Sequence, residues 1–182
     1  MKLTISDRTT QKKSDAKKIR RADDVPAVLY GKGKAPRSIF VKGVEIQTVL
    51  RKIEPQLLAT TVFELSDGQR AIVKDVQYHP VSYAILHMDF QIVGTDLVEV
   101  NVPIRIQGAR ECAGVAVGGF IRQVIRSLKV RCGLDQLPRE FVLDITNLGL
   151  AEVRRLSDIA IPEGVKPIAQ MNEVAVVIAK KV

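Results

Sequence analysis

The sequence predicts a mainly β protein: an N-terminal β-barrel with one or two short helices, followed by a C-terminal all-β domain. Three observations carry that expectation. Apolar and polar residues alternate over Tyr83–Val93, the period of a strand with one buried face. The alternation restarts at Val98 after a break at Gly94-Thr95, which divides the 182 residues into domains 1–94 and 95–182. With no Trp and only 4% aromatic residues, the core must be aliphatic, and abundant Val and Ile favour strands.

In chain order, Lys2–Ser6 reads as a first strand. Ser14 or Asp15 is then expected to cap a short helix, which sets Lys13, Lys17 and Arg20 at i, i+4 and i+7 on one face. Lys18 and Arg21 flank that stripe, while Ala16 and Ile19 turn toward the body. Pro26–Tyr30 is a compact strand closed by Gly31-Lys32-Gly33-Lys34, and Ser38–Val41 is another. The glycine pair is no phosphate loop, because GxxxxGK[ST] is absent and no long helix follows. Val44–Glu54 is a helix: Ile46, Val49, Leu50 and Ile53 form an apolar stripe, and Pro55 stops it. Ala59–Leu65 and Gln69–His79 are strands joined through Ser66-Asp67-Gly68.

On Tyr83–Val93 the even side (Ala84, Leu86, Met88, Phe90, Ile92) reads as an unbroken core face. The odd side sets His87, Asp89 and Gln91 in a row facing outward. A tight connection centred on Ser82 brings Gln77 opposite His87 and Asp75 opposite Asp89. In the second domain, Val98, Val100, Val102, Ile104 and Ile106 form a core face, and Pro103 within that strand suggests a sheet edge. Glu111–Gly119 reads as a glycine-rich loop. Strands follow at Phe120–Cys132, Glu140–Ile145, Glu152–Leu156 and Asn172–Ala179.

Charge is concentrated at one end. Residues 1–42 hold 12 Lys/Arg against 4 Asp/Glu, and residues 43–182 hold 16 against 16. A basic arm on a neutral body points to a polyanionic partner, because each cation that meets a phosphate releases condensed counterions. The inventory for catalysis is thin. His79 and His87 are the only histidines, and no G-x-S-x-G or zinc-spaced cysteine pair occurs, so neither a cofactor nor a metal is expected. Cys112 and Cys132 read as small apolar fillers, free thiols of a reducing cytosol, with a single disulfide as the other reading. There is no apolar membrane span and no secretory leader, which makes the expected location cytoplasmic.

RNA suits these residues better than catalysis. Folded RNA is read through shape, 2′-hydroxyls and base edges, and Tyr30, Gln77, His87 and Asp89 supply the donors and acceptors for that. Ile19-Arg20-Arg21, Val25-Pro26-Ala27-Val28-Leu29-Tyr30-Gly31, Lys74-Asp75-Val76-Gln77-Tyr78-His79-Pro80 and His87-Met88-Asp89-Phe90 together resemble one family. It is the family of bacterial large-subunit ribosomal proteins number twenty-five, also called the Ctc general stress proteins, which bind 5S ribosomal RNA. Residues 98–179 resemble the second β domain of its long form. The resemblance implies a barrel that grips the loop E region of 5S RNA through a widened minor groove. It also implies RNA-facing roles for Arg8, Lys13, Lys17, Arg20, Tyr30, Gln77, His87 and Asp89. Asp23 stands where the family often has glycine, and the chain ends at Lys180-Lys181-Val182 where many long forms carry an acidic tail.

The expectation is therefore a structural ribosomal protein that binds 5S RNA with a site of Arg8, Lys13, Lys17, Lys18, Arg20, Arg21, Tyr30, Gln77, His87 and Asp89. It is expected to be a monomer off the ribosome, with neighbouring ribosomal proteins met through the second domain. The alternative is a stress-linked regulator that uses the same barrel on other structured RNA. A hydrolase or metal enzyme built on His87 and Asp89 ranks last.

Overall fold

A computed structural model describes residues 1–8, 13–31, 33–94 and 97–180, without the side chains of Lys13, Ser14 and Lys34. The Lys13 side chain of the expected basic stripe, Lys32 of the expected turn and Thr95 of the expected break lie outside the described parts. The protein is mainly β and forms two compact units, Met1–Asp96 and Leu97–Val182.

The first unit contains β1 (Lys2–Leu3), β2 (Ile5–Asp7), α1 (Lys13–Arg21), β3 (Val25–Gly31), β4 (Lys34–Val41), α2 (Gly43–Lys52), β5 (Val62–Leu65), β6 (Arg70–Tyr78) and β7 (Ile85–Ile92). Its sheet runs β1-β5-β6-β7-β3-β4-β2. Only Thr4 separates β1 from β2, so one short segment lies on both edges, parallel to β5 and antiparallel to β4. The sheet therefore nearly closes into a barrel, which removes the exposed edges that invite aggregation. Ser66 pins the changeover: its hydroxyl accepts from the Ile5 N–H at 3.2 Å, and its own N–H donates to the Leu3 carbonyl at 3.0 Å.

Alternation does the rest. Leu3, Ile5, Ala27, Leu29, Ile39, Val41, Phe63 and Phe90 point inward and are buried. Phe63 meets Phe90 edge to face with centroids 6.4 Å apart, a pairing worth roughly 0.5–1.5 kcal/mol beyond its burial. The stripe of α2 packs on this core through Ile46, Val49 and Leu50, with Ile53 just beyond the helix.

Three expectations for this unit are corrected. The strand placed at Ala59–Leu65 begins only at Val62, because Pro55–Thr60 winds into a 3₁₀ helix. The hydroxyls of Thr60 and Thr61 donate back to the Leu57 carbonyl and hold that turn. Ser14 and Asp15 lie within α1, so neither is its cap. The inner face of β7 is not unbroken: Ala84 is exposed and precedes the strand, for a reason given below.

The second unit contains β8 (Val98–Gln107), α3 (Ala113–Ala116), β9 (Gly119–Gln123), β10 (Ser127–Cys132), β11 (Phe141–Asp144), β12 (Val153–Arg155), β13 (Lys166–Pro167) and β14 (Val174–Lys180). They form two sheets, β11-β8-β10-β13 and β12-β14-β9, around a core that includes Val102, Leu128, Phe141, Ile145, Val176 and Ile178. Cys112 and Cys132 are buried free thiols in it.

Here the sequence misleads in four places. Phe120–Cys132 is two strands in different sheets: the Val124 and Ile125 N–H groups both reach the Ala175 carbonyl, and the chain then crosses to pair with β8. The loop at Glu111–Gly119 holds the short helix α3, and β13 was not foreseen. Pro103 lies in the interior strand β8, not at an edge. β10 pairs with Val98–Pro103, and β11 pairs only from Ile104 onward. The Ile104 N–H points to Arg126 on the β10 side, so position 103 would point its N–H the other way, where pairing has not begun. The missing donor costs no ladder bond.

Candidate nucleic-acid interface

Register builds the site. With Met88 and Phe90 buried, His87 and Asp89, which alternate with them, face outward. Gln77 pairs with His87 and Asp75 with Asp89. The register anticipated from a Ser82-centred turn is therefore the one observed. Two irregularities bracket this pair of rungs. One lies between Val73 and Asp75, where two residues of β6 span one step of β7. The other passes over Leu86, since Gln77 pairs with His87 and Tyr78 with Ile85. Such bulges re-aim side chains and recur beside functional sites. The second reverses the parity of β7, so that Ile85 packs on the core and Leu86 stays half-buried.

The bulge also releases a carbonyl. Leu86 O, outside the ladder, accepts from Arg20 Nε at 3.0 Å. This bond ties the basic helix α1 to the edge of the polar face. Ala16 and Ile19 are half-buried on the docking side of α1, while Lys17, Lys18, Arg20 and Arg21 are exposed. The helix ends in a Schellman turn: Asp24 N–H reaches Ile19 O at 3.1 Å and Asp23 N–H reaches Arg20 O at 3.2 Å. Asp23 holds the left-handed position with φ 59°, a conformation Asp tolerates better than most residues. The aspartate that stands in place of a glycine thus leaves the helix end intact.

Pairing extends the face across five strands. Asp75 on β6 faces Asp89 on β7, Asp89 adjoins Val28 on β3, and Val28 pairs with Ser38 on β4. Arg8, just past β2, donates its N–H to Ser38 O at 3.0 Å and completes the row. Its Nε is buried and has no partner among the described residues. One step along, Tyr30 pairs with Gln91. Five expected site residues (Arg8, Tyr30, Gln77, His87, Asp89) therefore share one outward surface. Lys17, Lys18, Arg20 and Arg21 lie on the helix fastened beside it. Asp75 and Gln91 belong to the same surface and were not among the expected site residues, although the alternation on β7 and the β6–β7 register place them there.

The electrostatics are mixed by design of the register. Asp75 and Asp89 are like charges directly opposite, an arrangement that destabilises a sheet. His87 Nδ1 lies 2.9 Å from Asp89 Oδ1. Burial, then Asp89, then Asp75 raise the Tyr30 phenol above its ordinary pKa, so it stays a neutral hydroxyl. The centre is thus rich in acceptors, the chemistry that meets amino and hydroxyl donors, while the exposed cations lie apart on α1. His79 does structural work instead: its Nδ1 accepts from the Val81 and Ser82 N–H groups and shapes the β6–β7 turn. Among the described residues no three His, Cys, Asp or Glu side chains group as metal ligands. No described helix is long and apolar enough to cross a membrane.

Residues 3–90 match the Ribosomal L25p family, and residues 97–181 match the C-terminal domain of ribosomal protein TL5. The chain belongs to the ribosomal L25p family. Its whole length is 43% identical over 186 residues to the whole of the large ribosomal subunit protein bL25 of Chlamydia trachomatis serovar L2. The bL25 proteins of Chlamydia abortus and Chlamydia pneumoniae are 42% and 40% identical over 185 residues, again end to end. With both family domains present, this is the long, two-domain form of the family. It is a structural component of the large ribosomal subunit, an RNA-binding protein of translation in the cytoplasm, and not an enzyme.

Proposed function

We propose that this L25p-family chain binds 5S ribosomal RNA, at its loop E region, through the outward face of β3, β6 and β7 and the exposed face of α1. The observation that carries the reading is the coupling of two surfaces: a row of acceptors and neutral donors lies bonded, through Arg20 and Leu86, to a cationic helix. A cationic surface alone binds any nucleic acid, whereas base-edge groups beside it select a shape. The second unit, with nearly balanced charge, is left for neighbouring proteins of the subunit, and the free protein is a monomer.

Titration of the full chain against 5S RNA, a 5S RNA with its internal loop replaced by paired stem, and a plain RNA duplex tests this. Affinity for intact 5S RNA at least tenfold above both others is the expected result. Equal affinity for all three sinks it. Preference for another structured RNA over 5S RNA favours the stress-linked regulator.

A further inference from the structure

A cleft of about 330 Å³ opens beside the polar face, between the end of α1, the side of α2 that carries Ile46, Gln47 and Leu50, and the β6–β7 turn. Arg20, Asp23, Gln47, Ser82, Tyr83 and Leu86 line it. Its walls are fixed before anything binds. Arg20 is bonded to Leu86 O on one side. Asp24 Oδ1 accepts from the Gly43 N–H at 3.3 Å and draws the end of α1 onto the start of α2. Gly43 permits that approach, since a Cβ there would fall 1.7 Å from Asp23 O. On the far wall, the His79-capped turn holds Tyr83 through its N–H bond to His79 O at 2.9 Å.

Tyr83 is the unusual member. It sits in the left-handed region at φ 55°, which L side chains rarely adopt, and the residue is 78% exposed. The turn thus forces an aromatic ring into the open, at the mouth of a cleft that already shares Arg20 and Leu86 with the proposed RNA surface. The volume lies at the low end for small-ligand pockets, about 300–1,000 Å³, so it admits one heterocycle and no helix. Asp23 repels phosphate but accepts from amino groups. Gln47 and Ser82 add a donor and acceptors, and an exposed ring stacks on any base face.

We infer that this cleft takes one unstacked nucleobase of the bound RNA, with Tyr83 against its face and Asp23 and Gln47 against its edge. The carboxylate favours a base with an exocyclic amino group (adenine, cytosine or guanine) over uracil. The inference rests on the RNA-binding reading above.

The test uses the full chain with 5S RNA and the plain duplex. Tyr83→Ala should weaken 5S RNA binding about tenfold, Tyr83→Phe less than twofold, and neither should change duplex affinity. Gln47→Ala, on the exposed side of α2 where no strain is involved, should weaken 5S RNA binding a few-fold. One base of the 5S RNA should lose chemical reactivity in the wild-type complex and regain it with Tyr83→Ala. If the wild type fails to bind 5S RNA, both readings fall. If it binds, and Tyr83→Ala and Gln47→Ala match it with no base protected, only the cleft inference falls. Unchanged RNA affinity with impaired binding to large subunits lacking this protein also overturns it, in favour of a basic side chain from a neighbouring protein.

Discussion

His87 and Asp89 stand two residues apart on β7 with Nδ1 and Oδ1 2.9 Å from each other, so the imidazole and the carboxylate lie side by side on the outward face. In the proposed RNA-binding reading, this pair reads a base edge. Asp89→Ala should therefore cost on the order of 1–3 kcal/mol on 5S RNA and little on a plain duplex. Arg20→Ala should weaken both RNAs alike. Arg20→Lys should recover only part of that loss, because lysine keeps the charge but has no Nε–H in place to meet Leu86 O. Equal losses on both RNAs from Asp89→Ala would falsify the reading role.

Salt dependence tests the cationic side. Lys17, Lys18, Arg20 and Arg21 are exposed on α1, and Arg8 ends the polar row. With about five or six phosphate contacts, log affinity should fall against log salt with a slope of roughly −4 to −5. A slope near −1 means that the helix is merely solvated.

The compactness of the polar face can be measured without RNA. Asp89 raises the Tyr30 phenol, so removing that charge should make the phenol ionise at lower pH. Tyr78→Phe with Tyr83→Phe leaves Tyr30 as the single phenol of the three in the chain. In that background, ultraviolet titration should show Asp89→Asn shifting ionisation downward, and Asp75→Asn doing so to a smaller extent. No movement with Asp89→Asn contradicts the observed packing.

In the second unit, hydrogen bonds from Arg131 and then Lys129 hold the Glu99 carboxyl down to about 2, against an ordinary 4.5. The folded state thus binds this proton more weakly than the unfolded one. The stabilisation is full above about pH 4.5 and is lost as pH falls toward 2. Glu99→Gln should remove that part of the acid-side decline, and salt should blunt it in the wild type because the group is exposed. Thermal melts between pH 6 and 2, as about the useful range, decide it; identical slopes for wild type and variant count against the ion cluster.

Each unit has its own buried core, so each is expected to fold alone. A fragment 1–96 should bind 5S RNA within about tenfold of the full chain, a coupling of roughly 1.4 kcal/mol or less. A fragment 97–182 should fold as a β domain with no measurable affinity for that RNA. If 1–96 is folded yet binds a hundredfold more weakly, the second unit also touches RNA.

Local signals made much of this legible. The period-two run through Met88 and Phe90 identified the outward face of β7, because neighbouring side chains on a strand must point to opposite sides. The apolar stripe of α2 and the cluster of cations on α1 were equally visible. Strand limits failed where hydrogen bonds from afar intervened. Phe120–Cys132 reads as one strand, and it takes the Ala175 carbonyl to end the first half and β8 to recruit the second.

What the sequence by itself determined is which side chains exist at strand and helix spacing: the basic helix, the polar row on β7, the aliphatic cores and, through the turn residues, the pairing of Gln77 with His87. Only the tertiary structure decided that β1 and β2 lie on opposite edges of one barrel, and that a bulge passes over Leu86. Only there does Leu86 meet Arg20, and Tyr83 stand open beside the cleft. The physical reason is range. Periodicity reports what neighbours in the chain do, whereas a barrel closure, a bulge or a carbonyl left for a distant arginine depends on which strands come to lie side by side.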